Sequence, residues 1–591
     1  MRARQPDQSD LITRDGVRVG YDVYGEGNSP TVVLLPTWAI THAGHWKAQV
    51  PVLARRYRVI TIDGRGNGRS DRPRDPAAYA FEEQAADVIA VMDAVGVDHA
   101  VIAGVSDGGA LGTVVAATYP DRVTGAFLIA PALWSFGFSH HHRLVHPFED
   151  EPTSDEGWAL FNQHVWRADL PRFARFFWSE IFSEPHSTKQ IEDGVSWTAG
   201  TDPEALIATV NLPAPVLDDR ERTIEMLRRI SCPTMVVHGT DDRCTPKERS
   251  LAVADVLGCD LLLFEGSGHC PQARDPIRIN RVLIDFIERA TPPSDRRSTS
   301  STWTRAMSRP KRVLYLSSPI GLGHARRDLA IARSFRELHP DAQIDWLAQE
   351  PVTTFLAGTG ETVHPASAYL ASESAHVASE AHEHDLHAFQ AIRRMDELLV
   401  ANFSVFQDVV EDGDYDLVIG DEAWDIDHFW HENPELKRSA FVWMTDFVGW
   451  LPMPDGGSDE LMLTADYNAE MLEHVARFRR IRDRSIFVGD PDDIVPGGFG
   501  PGLPEIREWT QSHYDFSGYI TGFDPAEFAD REALRASLGY RPDEVVVVAT
   551  VGGSGVGGPL LRTVIDAFPL LAKEIDGLRM IAVAGPRIDP A

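Results

Sequence analysis

Cysteine is scarce in this chain: four in 591 residues, at Cys232, Cys244, Cys259 and Cys270. That is too few for a disulfide scaffold, and no CxxC pair offers zinc-ligand spacing, so a reducing compartment and no metal site are expected. Long apolar runs are lacking as well. No window approaches the roughly 18 consecutive apolar residues of a membrane span. The opening "MRARQPDQSD" has no apolar stretch behind its two arginines, so no secretory leader is read there and the cytoplasm is the expected location. Basic residues are in deficit, 56 Lys+Arg against 88 Asp+Glu, for a formal net charge of -32. Such a surface repels phosphate backbones and anionic membranes, which disfavours nucleic acid and leaves small molecules as the expected partners. No short-period repeat is present.

What remains is an ordinary globular composition, 43% hydrophobic and 24% charged, in a chain longer than one core usually organises. Residues 20–290 alternate short apolar runs with helix-length segments: "TVVLLP", "YRVITID", "HAVIAGV", "GAFLIAP", "CPTMVVHG" and "CDLLLFEG". This alternation predicts an α/β fold with a mostly parallel sheet. From about 132 to 231 the pattern turns helical and aromatic, which predicts an inserted cap. The Ser/Thr/Pro-rich and basic stretch 291–310 has linker composition. A second unit over 311–515 opens with "RVLYLSSPIGLGHARRDLAIARSF", and a third from 516 to 591 carries "EVVVVATVGGSGVGG" and "LRMIAVAGP".

The run Gly104-Val105-Ser106-Asp107-Gly108 has G-x-S-x-G spacing. A serine held in a tight strand-to-helix turn needs small residues two before and two after it, so that strand and helix can pass closely. A glycine-rich turn with a solvated serine has the same pattern. A nucleophilic serine also needs a base and an acid to orient that base. "VVHGTDDRCTP" places Asp241 and Asp242 beyond one predicted strand, and "LLLFEGSGHCPQARDP" places His269 beyond the next. Both fall on the sheet edge that would carry Ser106.

With "DGRGNGRSD" at 63–71, Gly239-x-x-Asp242-x-x-x-Pro246, and Gly268-His269 followed by Asp275-Pro276, residues 11–290 resemble the α/β-hydrolase fold family. The resemblance implies a serine hydrolase without a cofactor: Ser106 as nucleophile, His269 as general base, Asp242 as orienting acid. Asp241 is the alternative acid, or a solvated turn carboxylate. It also implies an oxyanion hole from the backbone N–H groups of Asp107 and Trp38. The family commonly carries His-Gly before the second of these, where this sequence has Pro36-Thr37. Trp38 as a pocket wall is the other reading. Serine at 106, where aspartate would suggest epoxide hydrolysis or dehalogenation, favours an ester or lactone substrate and extends to activated carbon–carbon bonds. Among the aromatics Trp134, Phe136, Phe138, Trp158, Trp166 and Phe177, a minority are expected to line the pocket. The tract His140, His141, His142 and His146 reads as a solvated loop, and Cys270 as a bystander to its neighbour His269.

Gly321-Leu322-Gly323-His324 follows a predicted strand and opens a helix, an arrangement suited to anions. Together with "DLVIGDE" at 416–422, "GYITGFDP" at 518–525 and "TVGGSGVGG" at 550–558, the last 280 or so residues resemble GT-B glycosyltransferases of the UDP-sugar type. That resemblance implies two Rossmann units, His324 as a base toward an acceptor hydroxyl, and Gly552, Gly553 and Ser554 as contacts to the diphosphate of a UDP-sugar donor. A helix-cap histidine and a tight structural turn are the plain alternatives. Two strands stand where a doubly wound domain has five or six, so the second Rossmann unit is expected to be partial and C-terminally truncated, without a complete donor site. The expected function is a serine hydrolase of esters or lactones fused to a glycosyltransferase-like module. The alternatives are a UDP-sugar transferase with an accessory hydrolase, and a catalytically silent small-molecule binder.

Overall fold

The computed structural model describes residues 2–140, 146–152, 154–291, 310–381, 386–552, 557–585 and 588. The chain divides into two compact units, Arg2–Ser298 and Thr299–Ala591. In the first, strands β1 (Gln8–Arg14), β2 (Val17–Tyr24), β3 (Thr31–Leu34), β4 (Arg58–Ile62), β5 (Ala100–Val105), β6 (Val123–Ile129), β7 (Thr234–Gly239) and β8 (Asp260–Phe264) form one sheet in the order β1-β2-β4-β3-β5-β6-β7-β8. The six apolar runs read from the sequence are β3 to β8, paired in parallel. The antiparallel β1 and β2 extend the sheet at one edge. β5 is buried along its whole length because both of its faces are covered. Val101, Ala103 and Val105 enter one core cluster, and Ala100 and Ile102 enter the other, following the two-residue alternation of a strand.

Between β6 and β7 the described residues form helices and no strand, including Gln163–Ile181, Thr188–Thr198, Pro203–Val210 and Arg220–Leu227. The first of these breaks at Asp169 (φ -154°, ψ 72°), two residues before Pro171. Proline has no N–H to continue the ladder, and the Asp169 carboxylate accepts the Arg172 N–H at 3.0 Å to cap a restarted helix.

The second unit holds a parallel sheet of β9 (Arg312–Leu316), β10 (Gln343–Trp346), β11 (Thr362–Val363), β12 (Leu417–Asp421), β13 (Ala440–Thr445), β14 (Arg484–Phe487) and β15 (Asp515–Phe516). Their order, β11-β10-β9-β12-β13-β14-β15, is that of a doubly wound sheet with one added strand, consistent with a Rossmann-like unit. A second, two-stranded parallel sheet pairs β16 (Val545–Thr550) with β17 (Leu578–Val583) across the helix Gly558–Glu574. Phe516, where the sequence reading begins a third unit, instead pairs with Phe487 and closes the seven-stranded sheet. A two-residue strand leaves no apolar run to mark it. Apart from Thr291 and Pro310, the expected linker lies outside the described residues. Among the described residues no helix is long and apolar enough to cross a membrane.

Candidate active site

The turn from β5 into the helix Asp107–Thr118 forces Ser106 to φ 57°, ψ -120°. An L-residue rarely adopts this geometry, at a cost of about 1–3 kcal/mol. The surroundings hold it there. Its N–H donates to the Ile129 carbonyl at 2.9 Å, and its own carbonyl accepts the N–H groups of Ala110 and Ala132, both at 3.0 Å. The two glycines have separate steric reasons. A Cβ on Gly104 would lie 2.1 Å from the Gly108 oxygen, and one on Gly108 would lie 2.5 Å from the Pro36 oxygen. The second contact lets the loop after β3 lie against the turn. Thr37 pins it, donating its hydroxyl to the Val105 carbonyl at 2.7 Å.

Trp38, next in that loop, donates its indole N–H to Thr209 of the cap at 2.7 Å. Its ring packs against Phe161, Trp166, Phe173 and Phe177. The side chain is therefore a wall between sheet and cap, while its backbone N–H makes no hydrogen bond among the described residues. Trp158, Trp166 and Phe177 are buried in this cluster, whereas Phe138 is 42% exposed.

Asp242 and His269, in the loops after β7 and β8, meet. Nδ1 of His269 lies 2.6 Å from Oδ2 of Asp242, and both residues are buried. With Nδ1 donating to the carboxylate, Nε2 is left as the basic nitrogen. The other carboxylate oxygen accepts the N–H groups of Cys244 (2.7 Å) and Thr245 (2.8 Å). Burial acts to raise the Asp242 carboxyl, but His269 and His238 outweigh it and hold the group well below the usual carboxylate range. Asp241 is exposed, and its carboxylate accepts the Thr240 hydroxyl at 3.2 Å.

The sequence reading missed His238. Fully buried in β7, it donates Nε2–H to the Thr245 carbonyl at 2.9 Å, receives the Ser250 hydroxyl at Nδ1 (2.6 Å), and stands 3.2 Å from Oδ2 of Asp242. The signal was a histidine in "VVHG" four residues before the aspartate. His140 also differs from the solvated-loop reading, because its Nε2 lies 2.8 Å from the Asp242 carbonyl oxygen. His141 and His142 lie outside the described residues. Cys270 is buried, which pushes its thiol up and leaves little thiolate.

The cap reaches the loop that carries His269 through the end of its first long helix. The Ile181 carbonyl accepts the His269 N–H at 3.0 Å. One Glu184 carboxylate oxygen accepts the N–H of Gly268 at 2.6 Å and the hydroxyl of Ser267 at 3.1 Å.

In the second unit Gly321 caps the helix Leu322–Leu338, and a Cβ on Gly321 or Gly323 would have room. His324 Nδ1 lies 2.9 Å from Oδ2 of the buried Asp421, while Arg327 donates to Oδ1 of Asp421 at 2.5 Å and to Asp446 at 2.7 Å. Burial acts to lower the His324 imidazole, but Asp421 and Glu422 outweigh it and hold it above its ordinary value. Gly552 is exposed just past β16, and Gly553 and Ser554 lie outside the described residues.

Two groups among the described residues bring possible ligand atoms within 4.8 Å of one another: His324, Glu422 and Asp446, and His428, Glu432 and Glu470. In the first, Asp446 is already paired with the Arg327 guanidinium at 2.7 Å. The second borders an aromatic cleft of about 600 Å³ that includes Trp424, Trp450, His474 and the buried pair Asp427–Arg482.

Residues 30–276 match the model of the family described as alpha/beta hydrolase fold. A relative in Caulobacter segnis, provisionally named carbamate hydrolase RutD, is 29% identical over 47% of this chain and 98% of its own. The 2-hydroxymuconate semialdehyde hydrolase of Pseudomonas sp. strain CF600 is 27% identical over 48% of this chain and 97% of its own. A solved enol-lactonase from Burkholderia xenovorans LB400 is 22% identical, covers 47% of this chain and 99% of its own, and has a TM-score of 0.38. With its parallel sheet, inserted helical cap and strained serine turn, the N-terminal half of this protein has the α/β hydrolase fold over residues 30–276.

Proposed function

We propose that the N-terminal unit is a serine hydrolase that cleaves a small carboxylic ester, lactone or related acyl substrate through an acyl-serine intermediate. The observation that carries this reading is the pairing of a serine strained onto a helix N-terminus with a buried His269–Asp242 pair on the same edge of the sheet. Ser106 Oγ attacks the carbonyl, and His269 Nε2 takes its proton and then returns it to the leaving group. Asp242 fixes the imidazole tautomer and stabilises the imidazolium. The N–H groups of Asp107 and Trp38 receive the developing oxyanion. Relatives named as a carbamate hydrolase and a 2-hydroxymuconate semialdehyde hydrolase support this general chemistry, and the aromatic wall around Trp38 favours an apolar acyl or ring-bearing substrate. The test is labelling of the purified chain with a fluorophosphonate. Labelling of the wild type that disappears in Ser106→Ala is the expected result, and an unlabelled, folded wild type overturns the assignment.

A second reading rests on the His324–Asp421 pair at the carboxyl edge of the second sheet. An imidazole held by a buried carboxylate suits a base that deprotonates an acceptor hydroxyl, and this supports glycosyl transfer from a UDP-sugar by the second unit. Incubation with UDP-glucose and a panel of hydroxylated acceptors should release UDP at a rate that collapses in His324→Ala, and such release would overturn the expectation of an incomplete donor site. An unchanged rate in that variant sinks the role given to His324.

A further inference from the structure

Strand order in the second sheet reverses direction between β9 and β12, the place where doubly wound sheets take their ligands. Ser317 and Ser318 leave β9 here, and Glu422 leaves β12 in a left-handed conformation (φ 51°) that L-residues adopt at some cost. Between them opens a cleft that faces solvent. Three of the carboxyls lining it are almost fully buried, with Glu373 8%, Glu422 6% and Asp425 8% exposed.

None of the three has a Lys or Arg partner among the described residues, and neither residue type lines the cleft. Glu373 Oε1 accepts the side-chain amides of Gln349 (2.6 Å) and Asn402 (3.0 Å). Glu422 Oε2 lies 3.4 Å from the Ser318 hydroxyl and 3.7 Å from His324 Nε2, whereas its Oε1 is buried with no hydrogen-bond partner among the described residues. Asp425 meets backbone N–H groups at its own helix start and has no partner side chain among the described residues. Apart from the His324 imidazole, no cationic side chain among the described residues meets these carboxyls, and carboxyls sharing a buried site repel one another and lose hydration together. Arg327 does not relieve them, because Asp421 and Asp446 already hold it.

We propose that this cleft binds a small organic molecule bearing a primary ammonium group, with the ammonium among Glu373, Glu422 and Asp425 and the carbon skeleton against Leu347, Leu370 and Phe406. The apolar walls favour an organic cation over a bare metal ion, which takes a closed shell of oxygen donors. The inference concerns binding, and it stands whether or not the unit transfers a sugar. The groups that face these carboxyls are His324 and Arg327 on the helix after β9, Asp421 at the end of β12, and Asp446 after β13. Burial first, and then neighbouring carboxylates, push the Glu422 and Asp425 carboxyls up to about 8. At pH 7 Glu422 and Asp425 are thus mostly protonated. Docking of R–NH₃⁺ ionises a carboxylic acid, whose proton passes to the solvent while the carboxylate pairs with the ammonium.

The test is calorimetric titration of the full chain with amines and their hydroxyl isosteres, cyclohexylamine against cyclohexanol and glucosamine against glucose. At least one amine should bind about tenfold or more tightly than its isostere, with proton release visible as a heat that differs between phosphate and Tris buffers. Glu422→Gln and Asp425→Asn each replace a neutral acid by a neutral amide, so they should keep the circular dichroism of the wild type while losing the ammonium preference. Equal affinity within both pairs, no binding of either amine, or an amine preference untouched in both variants overturns the proposal. So does displacement of the bound amine by equimolar Mg²⁺ or Mn²⁺, which would make the carboxyls a metal site.

Discussion

Asp242→Asn should lower kcat for an ester substrate by about 10⁴-fold while leaving the chain folded. The reason lies in which oxygen does what. Oδ1 accepts the N–H groups of Cys244 and Thr245, and a carbonyl oxygen must stay there to satisfy them. The new amide NH₂ then points at His269 and His238 in place of Oδ2. A donor now faces Nδ1 of His269, so Nδ1 must accept and Nε2 must carry the proton. The imidazole is held in the tautomer that cannot act as a base toward Ser106. Steady-state kinetics of wild type and variant on one ester decide the matter. A loss smaller than tenfold would mean that another acid orients His269.

Arg482→Met should cost the second unit about 3–5 kcal/mol. The Arg482 guanidinium donates to both oxygens of Asp427, at 2.6 and 2.5 Å, and to the Tyr514 hydroxyl at 2.8 Å. Its charge also lies 5.1 Å from the Trp443 ring. The two side chains are only 6% and 9% exposed, so removing one strands the charge of the other away from water. Burial acts to raise the Asp427 carboxyl, but Arg482 outweighs it and holds the group below its ordinary range, as expected for an ionised partner. Hydrogen exchange of peptides spanning residues 424–432 and 478–487 should lose protection by about 100- to 4000-fold. Arg482→Met combined with Asp427→Leu should recover most of that loss, because two apolar groups leave no orphaned charge. Single-variant protection within tenfold of wild type would show that the pair is far better hydrated than its burial implies.

Long, doubly buried strands were legible in the sequence because burial on both faces writes a continuous apolar run. β3 to β7, β9 and β12 came from such runs, whereas β16 and β17 were read from runs just as apolar although they are half-exposed. β1 was not read, since an edge strand written "QSDLITR" keeps mostly exposed residues. β2 was broken up by Arg18, Gly20 and Asp22, and β11, β14 and β15 are too short to leave a pattern. In the first unit the placement of Asp242 on His269 followed from chain order and sheet edge. The support of His238 did not, because one polar residue inside an apolar strand reads as strand. The partner of His324 was hidden for a different reason. Asp421 is 97 residues away and reaches it only because β9 and β12 are neighbours in the sheet. The acids around the second cleft come from separate segments that only the fold assembles.

The grip of Ile181 and Glu184 on the loop of Ser267 to His269 makes the cap more than a cover. Whatever displaces the end of the helix Gln163–Ile181 pulls on two backbone N–H groups of the segment that carries the proton acceptor. Doorway and proton acceptor are thus joined by a short mechanical linkage, and a substrate bulky enough to hold the cap ajar would be admitted to a site whose histidine is out of register. Size selection in this protein would then operate through the rate of proton transfer as well as through the space available to bind.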